Sequence, residues 1–202
     1  MKIIQPSYEI LNLPDRESIL KLIELAGRVC YKSEDKIEKG TAAPFVEKIS
    51  KVFKHESVIE HSTMTVKFIC DRGVSHELVR HRLCSFSQES TRYCNYAKGK
   101  FGGEITVIKP PGLSILGQQA WQLAMEACEH TYIYMLRAGE TPQIARSVLP
   151  NSLKTEIIVT ANLREWKHIF AMRCSEKAHP QMRELMIPLY EQIKNYLPEI
   201  FA

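Results

Sequence analysis

The densest chemistry-bearing stretch of the chain is RHRLCSFSQESTRY, residues 80–93. Arg80, Arg82 and Arg92 carry permanent, planar charges that grip phosphate or carboxylate oxygens in pairs, and His81 sets an imidazole among them. Ser85, Ser87, Gln88 and Ser90 interleave uncharged donors and acceptors that can read the polar edges of a ligand without competing for the arginines. Only Glu89 is acidic within the stretch, whereas solvated surface runs usually alternate sign to relieve repulsion. Such a stretch suits recognition of an anion, with a merely solvated basic face as the alternative. A helix over 72–82 would carry it into a site, placing His76 with Arg80, and Glu77 with His81, at i,i+4.

The elements that must position these side chains are marked by hydrophobic periodicity. Ile19, Leu22, Ile23, Ala26 and Cys30 predict a helix over 18–31, and Val46, Ile49, Val52 and Phe53 predict a second after Pro44. Met64–Cys70, Glu104–Lys109 and Lys154–Ala161 read as strands. Ser114–Ala138 reads as a long helix stopped by Gly139, with Trp121, Tyr132 and Tyr134 as packing residues. Thr141 and Pro142 open a short helix that ends before Pro150. Asn162 and Glu165 have capping-box spacing and start a helix running to about Arg173. A last helix begins near Pro180 and is expected to kink or break at Pro188, and Met172, Met182 and Met186 are expected in the core. KGKFGG at 98–103 reads as a connection. The resulting class is α+β, a small mixed or antiparallel sheet flanked by helices, without βαβ alternation.

The chain has 202 residues, 27 Lys plus Arg against 23 Asp plus Glu, and a net charge of +4. That length suits a single domain over 1–202, and the charge is too small and scattered to argue for nucleic acid or a membrane surface. No window approaches the ~20 apolar residues of a membrane span, and the opening MKIIQPSYEI lacks the apolar run of a signal peptide. Six cysteines without a C-x-x-C pair read as reduced cytosolic thiols. His55, His61 and His179 show no zinc spacing with other ligands, so no metal is expected. Phosphate loops, dinucleotide fingerprints, HExxH and GxSxG elbows are absent.

Arg80-His81-Arg82, seven residues and then Ser90, with Arg92-Tyr93 following, resembles the RHR-x7-S signature of the flavin-dependent thymidylate synthases. HESVIEH at 55–61, ARSVLP at 145–150 and NLREWKHIFAMRCSEKAHPQMRE at 162–184 agree in order and approximate spacing, so the resemblance spans about residues 18–190. It implies a cytoplasmic homotetramer with active sites at subunit junctions, each holding FAD, dUMP and 5,10-methylenetetrahydrofolate, with NADPH as reductant. The reaction implied is methylation of dUMP to dTMP without a protein cysteine nucleophile.

Carried over by position, the resemblance implies dUMP contacts from Glu77, Leu78, Val79, Arg80, Gln88, Glu89, Ser90, Thr91, Arg92, Arg146 and Arg173. Arg173 is the implied catalytic residue, binding the uracil and favouring its ionisation at N3. FAD contacts fall on Ser57, Arg80, His81, Arg82, Gln88, Asn162, Leu163, Arg164 and His168. Glu77 stands where some members carry glutamine, and Gln88 where some carry glutamate. Ser90 is expected to position dUMP rather than attack it, since a serine nucleophile needs a base held by a third group. Two other classes remain open at this level: a nucleic-acid-binding protein whose basic helix at 72–82 docks on phosphates, and a phosphoesterase using Ser90.

Overall fold

The structure, a computed structural model, describes residues 1–99 and 102–202; Lys100 and Phe101 of the KGKFGG stretch lie outside the described residues. Its strands are β1 (Lys2–Ile4), β2 (Ser7–Asn12), β3 (Thr63–Asp71), β4 (Ser85–Gln88), β5 (Thr106–Ile108) and β6 (Lys154–Asn162). Its helices are α1 (Arg16–Cys30), α2 (Ala42–Glu47), α3 (Arg72–Leu78), α4 (Ile115–Arg137), α5 (Pro142–Ala145), α6 (Leu163–Arg173), α7 (Pro180–Tyr196) and α8 (Pro198–Phe201). This is the expected α+β class, with two sheets rather than one: β1 pairs in parallel with β5, and the other four strands take the order β2-β3-β6-β4.

Two compact units divide the chain. The first gathers Met1–Ser7, Phe68–Arg80 and Phe86–Ile158, and the second gathers Tyr8–Lys67, His81–Ser85 and Val159–Ala202. β3 and β6 each give one half to each unit. Both strands alternate strictly, burying Met64, Val66, Phe68 and Cys70 along β3, and Thr155, Ile157, Val159 and Ala161 along β6, as a half-covered sheet requires.

The first unit closes over Tyr96, Ile105, Val107, Met125, Tyr132, Ala145 and Leu153. α4 ends as its composition predicts: Gly139 turns left-handed at φ 99°, and Glu140 and Gly139 donate to the Met135 and Leu136 carbonyls at 3.0 and 3.2 Å. That arrangement satisfies carbonyls the helix leaves open, and glycine adopts the required backbone without a Cβ penalty. In the second unit, Asp15 caps α1 by accepting from the Ser18 N–H at 3.0 Å. Gly27 lets α2 close on α1, because a Cβ there would fall 2.6 Å from Phe45 Cε1. Trp166 of α6 is fully buried, donates to the Met64 carbonyl at 2.9 Å, and meets Phe170 at 5.6 Å between ring centroids.

Several expectations are corrected. α3 stops at Leu78 with Val79 as its cap, so Arg80 and His81 sit beyond the helix and share no helix face with His76 and Glu77. The next regular element is β4 at Ser85, and no basic recognition helix over 72–82 exists. Of the two outcomes expected at Pro188, interruption does not occur: α7 runs through it, with Leu185, Met186, Leu189 and Ile193 buried around it, so tertiary packing outweighs the proline's missing bond. The helix after Pro44 is α-helical only to Glu47 and continues as a wider π turn over Lys48–Val52. Met182, Met186 and Tyr132 are buried, but Met172 and Tyr134 are 47% and 73% exposed. β1, β2 and β4 were not anticipated: none contains a fully buried residue, so none shows an apolar period.

Candidate active site

In the second unit, the N-terminal half of α6 faces a cavity of about 670 Å³ whose walls include Glu56, Glu60, Leu83, Asn162, Arg164, Lys167 and His168. The local sequence dictates this. Asn162 Oδ1 accepts from the Glu165 N–H at 2.8 Å, starting the helix where β6 ends and leaving the Asn162 amide donors for a ligand. From that cap, Arg164 and His168 share one helix face and both line the cavity. Its cations are matched by carboxylates: Arg164 donates to Glu60 and Lys167 to Glu56, each at 2.5 Å. Ser57 is exposed on the 3-10 segment Glu56–His61 and is not among the lining residues, and Leu163 is fully buried, its N–H donating to the Ser62 carbonyl at 2.9 Å. An expected flavin contact from Leu163 is therefore not one its side chain can make.

Beside this cavity wall, in the same unit, Arg173 Nε donates to His81 Nε2 at 3.0 Å. His81 Nδ1 lies 3.4 Å from Glu165 Oε1, and the His168 ring stands edge-on at 5.7 Å. Burial, then the Arg173 guanidinium and His168, push the His81 imidazole down to about 4, so it is neutral at pH 7 and its contact with Glu165 is a polar contact rather than an ion pair. Ligand atoms of His81, Glu165 and His168 lie within 4.8 Å of one another, a trio that spacing along the chain does not reveal. A cation there would meet a permanent guanidinium charge already bonded to His81, which disfavours it. Arg82 and Leu83 are exposed.

In the first unit a cavity of about 520 Å³ is lined by Arg72, His76, Thr91, Gln143, Arg146, Ser147 and Asn151 among others. Arg146 donates to Thr91 Oγ1 at 3.4 Å and Arg92 Nε to Gln143 Oε1 at 3.3 Å. Arg72 reaches the Glu89 carbonyl at 2.9 Å through Nη2, while its Nε is buried without a partner. Unlike the other cavity, this one has no carboxylate among its lining residues. Ser90 Oγ accepts from the Arg92 N–H at 3.3 Å, shaping its own loop, and among the described residues no base is bonded to it.

Two expected nucleotide residues serve the framework with their side chains. Gln88 donates to Ser75 Oγ at 2.8 Å and Thr155 Oγ1 at 3.2 Å. Glu89 pairs with Lys154 at 2.9 Å and accepts from Tyr96 Oη at 2.8 Å. Burial opposes the Lys154 charge, but bonds to Glu156 and Glu89 hold its ammonium above the ordinary value. Leu78 is buried in the core, whereas Val79 and Arg80 are exposed. The RHR run itself changes unit after Arg80.

A family model described as thymidylate synthase complementing protein matches residues 13–199. A flavin-dependent thymidylate synthase from Geobacter sulfurreducens is 35% identical over 199 residues, covering 94% of this chain and 82% of the relative. One from Mycobacterium avium is 36% identical over 201 residues, covering 90% and 78%. The chain belongs to the flavin-dependent thymidylate synthase family. The fold agrees: Helicobacter pylori thymidylate synthase X, solved with FAD and dUMP, superposes with a TM-score of 0.78 at 20% identity over 98% of this chain and 97% of that one. The UMP/dUMP methylase PolB of Streptomyces cacaoi, bound with 5-Br dUMP, gives 0.81 at 22% identity over 100% and 95%.

Within this flavin-dependent thymidylate synthase fold, the motif residues Asn162, Arg164 and His168 share one cavity, and Thr91 and Arg146 share the other. Sequence reasoning missed Arg72, His76, Gln143, Glu56, Glu60 and Lys167 as cavity residues and Glu165 as a neighbour of His81. Glu56 and Glu60 lie in the HESVIEH stretch and Glu165 and Lys167 in the stretch that opens at Asn162, so their motifs were the available signal.

Proposed function

We propose that the chain converts dUMP to dTMP by reductive methylation, with 5,10-methylenetetrahydrofolate as carbon donor, NADPH as reductant and FAD as the mediating cofactor. The observation that carries this reading is the 3.0 Å bond from Arg173 to His81. It joins two motif segments far apart in sequence, the RHR run and the end of α6. A guanidinium does not titrate, so Arg173 holds negative charge on the uracil ring as N3 ionises and C5 becomes nucleophilic.

The residues of the second unit fit a flavin dinucleotide. The cavity volume falls in the range of small-molecule sites, and the donors of Asn162, Arg164, Lys167 and His168 suit pyrophosphate and ring edges. When bound, the flavin supplies carbon-transfer mediation and reducing equivalents, while the protein supplies orientation and charge. Arg72 and Arg146, which line the first unit's cavity, with Arg92 bonded to the lining Gln143, suit the dUMP phosphate. Ser90 positions the nucleotide. Burial, with Glu165 next, pushes the Cys84 thiol up to about 12, and burial raises Cys70 to about 12 and Cys174 to about 11. These thiols are poor nucleophiles, consistent with carbon transfer that uses no protein thiolate.

Residues 1–202 work as one functional domain within a cytoplasmic homotetramer, with active sites at subunit junctions. Assembly is supported by the apolar side chains that α4 leaves exposed, Ile115, Leu116, Leu123 and Tyr134, which a second copy would cover. No helix among the described residues is long and apolar enough to cross a membrane. The test is tritium release from C5-labelled dUMP with FAD, NADPH and 5,10-methylenetetrahydrofolate. Purified protein is expected to be yellow and active, and reconstituted protein without release would overturn the proposal.

A further inference from the structure

Glu165 occupies the third position after its helix cap, where a capping box would send its carboxylate back along the chain. Its carboxylate instead lies 3.4 Å from His81 Nδ1. Both residues are nearly enclosed, His81 at 5% and Glu165 at 7% exposure. On the other side of the ring, Nε2 receives Arg173 Nε at 3.0 Å. Guanidinium can only donate, so Nε2 must be the bare nitrogen and the single proton of the neutral imidazole must sit on Nδ1, facing Glu165. The opposite tautomer would set two N–H donors against each other at that distance.

We propose that Glu165 is a positioning residue: by selecting the Nδ1–H tautomer of His81, it lets His81 accept from Arg173 and so aims the guanidinium at the uracil. The proposal rests on Arg173 being the uracil-binding residue. Glu165 suits the role because its backbone is fixed by the 2.8 Å bond to Asn162 at the helix start, so the carboxylate is delivered from a rigid element. The logic is that of carboxylates that fix the tautomer of metal-binding histidines, with a guanidinium in place of the metal.

Two variants and two readouts test it. In protein labelled with nitrogen-15 at histidine, the imidazole shifts report the tautomer directly, independent of activity. Wild type is expected to show His81 as Nδ1–H. Glu165→Leu is expected to shift His81 toward Nε2–H and lower kcat/KM for dUMP by about 10- to 100-fold at saturating flavin. Glu165→Gln, whose amide oxygen still accepts from Nδ1–H, is expected to keep the tautomer and recover most of the loss. An Nε2–H tautomer in wild type, or a Glu165→Leu protein with unchanged tautomer and kcat/KM, overturns the proposal. If Glu165→Leu does not fold, a Glu165→Gln protein that loses the Nδ1–H tautomer does the same. Wild type that shows the Nδ1–H tautomer but releases no tritium would overturn the reading of Arg173 beneath it, which keeps the two failures apart.

Discussion

Both cavities are lined by cationic side chains, Arg164 and Lys167 in one and Arg72 and Arg146 in the other, set in opposite electrostatic surroundings. In the second unit Arg164 and Lys167 are each held by a carboxylate at 2.5 Å, so an incoming anion must compete with Glu60 and Glu56 for its contacts. In the first unit Arg72 and Arg146 line a cavity without any lining carboxylate, and they are bonded only to neutral oxygens at 2.9 and 3.4 Å. A compact dianionic phosphate is best served by the second kind of surface, because no internal partner has to be displaced. A large ligand with one charged segment and a broad uncharged ring is best served by the first, where balanced charge limits non-specific capture of small anions. Positive residues alone therefore do not define an anion site; the carboxylates beside them decide what it holds.

The sharpest way to break that division is Arg173→Ala. If nucleotide chemistry depends on this guanidinium and flavin retention on the cavity around α6, tritium release falls about 100- to 1,000-fold while flavin absorbance per chain is retained. Loss of flavin with dUMP binding intact would reverse the assignment. Carboxylate burial separates the units next. Glu89, with its side chain 11% exposed against an 18% exposed Lys154, is expected to cost about 3 kcal/mol in urea unfolding when replaced by alanine. Glu60, 40% exposed against a 51% exposed Arg164, is expected to cost under about 1 kcal/mol. Equal losses would show that both pairs are framework.

A smaller effect concerns salt. Arg146→Ala is expected to weaken dUMP binding about 10-fold, and added salt to weaken dUMP more than flavin, since only the first cavity leaves its cations uncompensated; calorimetric titration at two ionic strengths checks both. A separate effect is on pH. His81 is held down to about 4 from 6.5 by burial and by Arg173 and His168. Its contribution to stability is present above pH 6.5 and is lost as pH falls through 4, because the unfolded chain takes up the proton first. Urea unfolding of His81→Gln across that window is expected to lose this component of the pH slope, the carboxylates of both proteins contributing the remainder.

Much of the framework was legible from residue order because its signals are local. Alternation marked β3 and β6, the Asn162–Glu165 spacing marked the start of α6, and Gly139 marked the end of α4. Short elements without a buried face, such as β1 and β4, left no period to read. Where local rules and packing disagreed, packing prevailed: Pro188 sits inside α7, whose apolar face is buried, and the helix expected over 72–82 ends at Leu78.

The amino-acid sequence by itself determined the longer elements, the family signature and which arginines and histidines fall in its motifs. Only the tertiary structure decided their electrostatic company. It set Glu56 and Glu60 against Lys167 and Arg164, turned the side chains of Gln88 and Glu89 into the framework, and placed Glu165 and Arg173 on the two nitrogens of one buried imidazole. Charge and hydrogen-bond partners act over a few ångströms in space, and residues that meet at that range are separated along the chain by whole helices and strands.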